Sequence, residues 1–323
     1  MRLKLVPEKT NIDFFRAQFV TFGVSVVMVI ASILLVFTMG LNLGIDFRGG
    51  TTIRTESTSP VDVATYRAAL AGLDMGDISI TEVFDPSFRP DQHVTQIRIE
   101  AAQGAEAVSP EGIATVEAAM EAVDPAIKFT SVESVGPKVS SELITQALLA
   151  IAAGSLGILL YVWMRFEWQF AVGTVAALLH DVIVTVGIFS LLQLKFDLTI
   201  VAALLTILGY SVNDTVVIFD RLRENLAKYK QMPLREMMNL TANETLSRTI
   251  MTATTTFIAL MVLFIWGGDV IRGFVFAMLF GVVIGTYSTL YVAKNIVLFL
   301  GVDRSEKPKK ERGTPSEYAH LDN

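Results

Sequence analysis

Two carboxylates fall in runs that are otherwise apolar: Asp181 within Phe170–Leu192 and Asp214 within Leu198–Phe219. An ionisable group inside a membrane span costs about 2.5–3.5 kcal/mol on insertion scales, so such groups usually face an interior or an aqueous path. The residues around Asp214 are of kinds that hold or move a proton. Asn213 adjoins it, and Ser211 lies one turn before it. Arg248 opens the next apolar run, and Thr252 and Thr255 continue its face at i+4 and i+7. Counting from Arg221 at 1.5 Å per residue places Asp214 about 10 Å inside the cytoplasmic boundary, at the depth of Arg248. Burial and a nearby guanidinium pull the protonation of a carboxyl in opposite directions, and a proton carrier needs the two in balance.

Asp214 therefore reads as a proton carrier, with Arg248 as charge partner and Asn213 and Thr252 as hydrogen-bonding support. The alternative is a fixed interhelical ion pair or hydrogen bond. Each proton crossing 100 mV releases about 2.3 kcal/mol, so several are needed to bias a conformational cycle. Asp181 lies roughly 10 Å farther from the cytoplasm, with Thr174 and Thr185 on its side of the helix, and is a second station at best. His180 points about 100° away from it.

These residues need spans to position them, and the composition supplies them. Of 323 residues 52% are apolar and 18% charged, and the mean hydropathy is +0.52, too apolar for a soluble chain. Six apolar runs are long enough to cross a bilayer: about 19–39, 143–164, 170–192, 198–219, 250–266 and 274–293. The first is longer than a signal-peptide core and reads as a permanent anchor.

Lysines and arginines set the orientation. Four lie in the leader 1–18, six between the fourth and fifth runs, and six from Lys294 onward; the short links after the third and fifth runs hold one each, Lys195 and Arg272. Both termini are thus expected in the cytoplasm and the segment 40–141 outside. That segment holds seven basic and fifteen acidic residues, more negative than the whole chain at −6. Its order of strand and helix patterns, β-α-β-β-α-β, predicts an α+β ferredoxin-like periplasmic domain. The five later runs form a transmembrane domain over 142–300, and 301–323 is a basic cytoplasmic tail. The fold class is therefore a polytopic α-helical membrane protein. Without cysteine and with three scattered histidines, no metal or cofactor site is expected. The acidic balance gives no surface for nucleic acid.

Three stretches carry a family resemblance: Gly44-Ile45-Asp46-Phe47-Arg48-Gly49-Gly50 after the first run, Leu179-His180-Asp181 in the third, and Gly209 to Arg221 in the fourth. The last includes Ser211 and Asp220. With Val135-Gly136-Pro137-Lys138, they make the chain resemble the SecD/SecF family of the resistance–nodulation–division superfamily over nearly its whole length. The resemblance implies a bacterial inner-membrane protein of the Sec export pathway that pairs with SecD. It also implies association with the SecYEG translocon, often with YajC, and use of the proton gradient to help preproteins complete passage and release. A six-span chain of this kind is half of a twelve-span unit.

Other motifs admit quieter readings. The Gly44–Gly50 stretch lacks phosphate-loop spacing and is a turn into the first outer strand, with a gating role at the membrane edge as the alternative. Asp46 and Arg48 can pair locally there. Asp220, Arg221, Arg223 and Glu224 read as solvated orientation charges at the cytoplasmic rim, a contact with the translocon being the alternative. Gly281 with Gly285, and Ala153 with Gly157, mark close helix packing, within the chain or against the partner half. Rival functions are a small-molecule exporter of the same superfamily and a non-conducting assembly factor. No protease motif occurs in the spans, and no enzyme is expected.

Overall fold

The computed structural model describes residues 10–60, 62–73, 75, 78–83, 88–99 and 108–302. The first helix, α1 (Gln18–Met39), has 22 residues, about 33 Å at 1.5 Å per residue. Its apolar residues point in all directions, and Ser25 and Ser32 are the buried ones. Gly40 ends it, and the chain passes through a two-residue strand β1 (Asn42–Leu43) and a one-turn helix α2 (Ile45–Arg48). Gly49 and Gly50 follow at φ +77° and +118°, where a side chain would be strained. They turn the chain into the inserted domain.

That domain runs β2 (Gly50–Ser57), α3 (Val63–Leu70), β3 (Ile78–Val83), β4 (His93–Ile99), α4 (Pro110–Val123) and β5 (Lys128–Val135). The strands pair antiparallel in the order β3-β4-β2-β5, the ferredoxin-like arrangement expected from the alternation. The two helices start where acceptors stand ready: Asp62 takes the amide of Ala64 and Ser109 that of Gly112. Ile53, Ile97 and Ile99 on the sheet bury against Leu70, Val116 and Met120 of the helices. Each such side chain contributes about 1.5–3 kcal/mol. The expected strand ends at Phe84 and Ala101, the loop residue Pro86, and most of the tail 301–323 lie outside the described residues.

The remaining helices are α5 (Pro137–Arg165), α6 (Trp168–Leu192), α7 (Leu198–Lys228), α8 (Leu234–Trp266) and α9 (Asp269–Ser288). A two-residue strand β6 (Lys195–Phe196) precedes α7 and pairs parallel with β1. The last span does not stop at the end of α9. It continues through a π-helical turn, Thr289–Ala293, into α10 (Lys294–Leu300). With α1, this makes six helices long and apolar enough to cross a membrane.

Two of them outrun the apolar pattern. Hydropathy marks 219 and 250 as span limits, but α7 persists to Lys228 and α8 begins at Leu234, after Pro233. Charged residues such as Arg223 and Glu224 favour helix as well as leucine does, so the helices continue where the membrane pattern ends. Close approaches fix the bundle. A Cβ on Gly281 would fall 2.5 Å from Ile207, and one on Gly285 3.3 Å from Ser211. This pair therefore packs α9 onto α7 within the chain. Gly157 meets nothing within 4 Å.

Candidate functional site

Two apolar clusters fill the bundle, one near the inserted domain around Phe189, Ile200 and Val275, the other at the opposite end around Phe15, Phe219 and Met237. Between them on α6 sits Asp181, 0% exposed. Its Oδ2 accepts from Ser211 of α7 at 2.7 Å and from Ser288 of α9 at 2.8 Å. Its Oδ1 lies 3.0 Å from His180 Nδ1. Neighbouring side chains on a helix diverge by about 100° at Cα, but the imidazole is long enough to turn back. The expectation that His180 points away from Asp181 is thereby corrected. Thr215 and Thr289 join α7 to the π-helical turn at 2.9 Å, and Thr174 and Thr185 share the buried face of Asp181. A buried carboxyl group with three hydrogen-bond partners is a strongly held centre. Asp181 thus binds three helices together.

Asp214, one turn along from Ser211, is 3% exposed. Its Oδ2 has no hydrogen-bond partner among the described residues, and Arg248 of α8 acts on it through space. Thr252 spends its hydroxyl on the carbonyl of Arg248 at 2.9 Å. Asn213 and Arg248 both face outward. They belong to an open band: Ala202, Thr206, Gly209 and Asn213 recur along the outer face of α7, and Arg248, Met251 and Thr255 along that of α8.

The glycine-rich motif docks rather than hangs free. Gly44 donates its amide to the Phe196 carbonyl at 2.8 Å, and a Cβ there would lie 3.1 Å from Asp197 Cβ. Asp46 accepts the amide of Leu198 at 3.1 Å, placing a negative group at the N-terminus of α7. Phe47 packs on Phe196, and Ser140 of α5 donates to the Ile45 carbonyl. At the far end, Asp220 pairs with Arg165 at 2.9 Å. Arg221 holds Glu224 and Glu244, and Asn225 also donates to Glu244. The rim charges are therefore bonded networks that tie α7 to α5 and to α8.

Two further placements escaped the sequence pattern. Lys294, counted with the basic tail, is 1% exposed within the last span and stands over the rings of Phe14 and Phe15 at 4.6 and 4.4 Å. The leader in turn is not loose over its described part. Asn243 exchanges two 2.8 Å hydrogen bonds with the backbone of Ile12, and Asn239 takes the amide of Phe14. Ser288 also went unmarked, although polar side chains in the run Gly285-Thr286-Tyr287-Ser288-Thr289 break its apolar pattern.

Six spans, a folded domain inserted after the first, and a carboxylate layer at mid-bundle define a polytopic membrane transport protein. Residues 34–61 match the family model of the SecD/SecF GG motif, and 115–303 that of the protein export membrane protein SecD/SecF, C-terminal. The protein translocase subunit SecF of Cereibacter sphaeroides is 68% identical over 321 residues, covering 99% of both chains. The chain belongs to the SecF family and is a translocase subunit of the Sec protein-export machinery. It is also similar to the crystal structure of SecDF, a translocon-associated membrane protein from Thermus thermophilus, with TM-score 0.82 and 32% identity over 93% of this chain and 40% of that one. The protein translocase subunit SecDF of Brucella abortus is 36% identical, covering 94% of this chain and 39% of the relative.

Proposed function

We propose that this chain is one half of a proton-coupled translocase unit completed by SecD. The observation that carries the reading is the outward polar band of α7 and α8. Thr206, Asn213, Arg248 and Thr255 are exposed on helices that cross the membrane, and hydrocarbon is a costly neighbour for them. A second helical half laid on this band buries it, and the small residues Ala202 and Gly209 permit close approach. SecDF chains, in which a SecF-like portion occupies about 40% of the length, support a SecD-type half as the occupant. Asp214 then lies at the seam beside Arg248, with an oxygen free to take a proton. Asn213 and Thr252 line the same seam, and Asp181 is a second station deeper in the bundle.

In this reading the proton motive force drives late preprotein translocation and release. The chain sits in the bacterial inner membrane with both termini cytoplasmic and the inserted domain in the periplasm. SecYEG, YajC and the translocating preprotein are its further partners, and the lipid bilayer surrounds the rest of the bundle. The absence of cysteine allows single cysteines to test the seam. Thr206→Cys and Asn213→Cys are expected to crosslink to SecD in membranes, and Phe37→Cys, on the outward face of α1, is not. Crosslinks from Phe37→Cys and none from the α7 positions would overturn the assignment.

A further inference from the structure

A ring contact extends the polar set around Asp181 beyond its three donors. The His180 ring lies tilted against that of Tyr287, with centroids 6.3 Å apart. The Tyr287 hydroxyl donates to the Thr21 carbonyl of α1 at 2.7 Å and accepts from Ser25 at 3.2 Å. Polar groups of α1, α6, α7 and α9 thus meet in one set, whose link between His180 and Tyr287 is a ring contact. The imidazole is 4% exposed, and its Nε2 has no hydrogen-bond partner among the described residues. Few titratable groups surround the pair. Tyr287 comes from α9, followed by Tyr291 stacked on it at 5.1 Å. From α7 come Tyr210, adjacent to Ser211, and Asp214, one turn beyond it. The groups α1 presents are hydroxyls and a carbonyl, and Lys294 stands six residues past Ser288.

We propose that His180 and Asp181 act as one proton-sharing pair that sets the position of α1 against α9 through Tyr287, making His180 and Tyr287 positioning residues for the translocation cycle. The proposal rests on the proton-coupled reading above. With Asp181 ionised and His180 neutral, Nδ1–H serves the bond to Asp181 and Nε2 is left as an unmet acceptor. An arriving proton adds to Nε2. No existing hydrogen bond breaks, and the pair passes from a net charge of −1 to neutral as an imidazolium–carboxylate. The cationic ring is attracted more strongly to the face of Tyr287, so the tyrosine and the α1 carbonyl that it holds are drawn toward α6. Loss of the proton from Nε2 reverses the step. Because α1 passes within a few residues into β1 and the Gly44–Gly50 motif, its displacement is delivered to the inserted domain.

Spin labels at Phe19→Cys on α1 and Phe299→Cys on α10, both outward, report this displacement in the SecD complex in vesicles. Pulsed electron resonance is read at about pH 8 and about pH 5. The inter-label distance is expected to shift with pH in the otherwise wild-type chain. The shift should be lost in His180→Gln and in Tyr287→Phe, the latter removing only a hydroxyl. A distance that ignores pH, or a shift undiminished in Tyr287→Phe with SecD still co-purifying, overturns the proposal. Proton-driven translocation by Asp214→Asn, read in the same vesicles, judges the underlying reading separately: full activity there defeats that reading whatever the labels show.

Discussion

Asp181 is bonded to Ser211, one turn of α7 from Asp214, so the two carboxyls lie closer in depth than the roughly 10 Å that counting along the helices predicts. They do different work, because one is saturated with donors and the other is not. Replacing Asp181 by Ala strands Ser211 and His180 in an apolar interior, while Ser288 keeps the Gly285 carbonyl as acceptor, and each unmet group costs about 1–3 kcal/mol. Thermal unfolding of the purified complex is therefore expected to fall markedly for Asp181→Ala. Asp214→Asn should melt near wild type, since Oδ2 has no hydrogen bond to lose. Equal destabilisation by both would contradict this division. A second residue-scale test lies in the inserted domain, where Tyr66 donates to Asp124 at 2.9 Å. Burial pushes the Asp124 carboxyl up, but hydrogen bonds from Ser57, Tyr66 and the Ala126 amide outweigh it and hold the group below the usual carboxylate range. A depressed carboxylate contributes stability that is present above its unfolded value, about 3.9, and is lost as pH falls through the lower folded value. Tyr66→Phe should thus weaken amide-exchange protection of α3 and β5 by about 1–2 kcal/mol at neutral pH, a deficit that shrinks below about pH 4. At this scale the carboxylates were legible from their cost in a span, whereas their donors were not. Ser288 and His180 are joined to Asp181 by helix rotation and packing, which no local pattern encodes.

Helices in this bundle are held by where small residues stop. Gly281 cannot accept a methyl group without moving Ile207, while a Cβ on Gly157 would meet nothing within 4 Å among the described residues. Gly281→Ala is expected to cost about 1–3 kcal/mol by overpacking, seen as a lower melting temperature of the chain in detergent. Gly157→Ala should leave that temperature unchanged. A loss of equal size at Gly157 would show that α5 is packed as tightly as α9. Sequence spacing displayed both small-residue pairs but not which surface each met, because a G-x-x-x-G stripe is the same whether it faces its own bundle or another. The element order of the inserted domain was readable from period-2 alternation and helical spacing, while the caps at Asp62 and Ser109 emerged only from the structure. Helix ends at 228 and 234 were not, since hydropathy reports membrane contact and Arg, Glu and Leu continue a helix equally well.

At the scale of the whole molecule, three ties connect the inserted domain to the bundle. The first is α1 itself. The second is the Gly44–Gly50 motif seated on β6 and the start of α7, and the third is α5 with Ser140 under the motif. The same α7 that receives Asp46 at one end carries Ser211 and Asp214 at its middle and the Arg221 network at the other. A change at mid-bundle therefore has a continuous rigid element through which to reach the domain. The sequence motifs marked both ends of this path, but the docking between them depends on long-range contacts from residue 46 to residue 198. The decisive measurement is proton flux into vesicles holding this chain with SecD under an imposed gradient, wild type against Asp214→Asn, with assembly confirmed. Flux in wild type and its loss in the variant is the result predicted here; equal flux in both would contradict the assignment of Asp214 to the proton path.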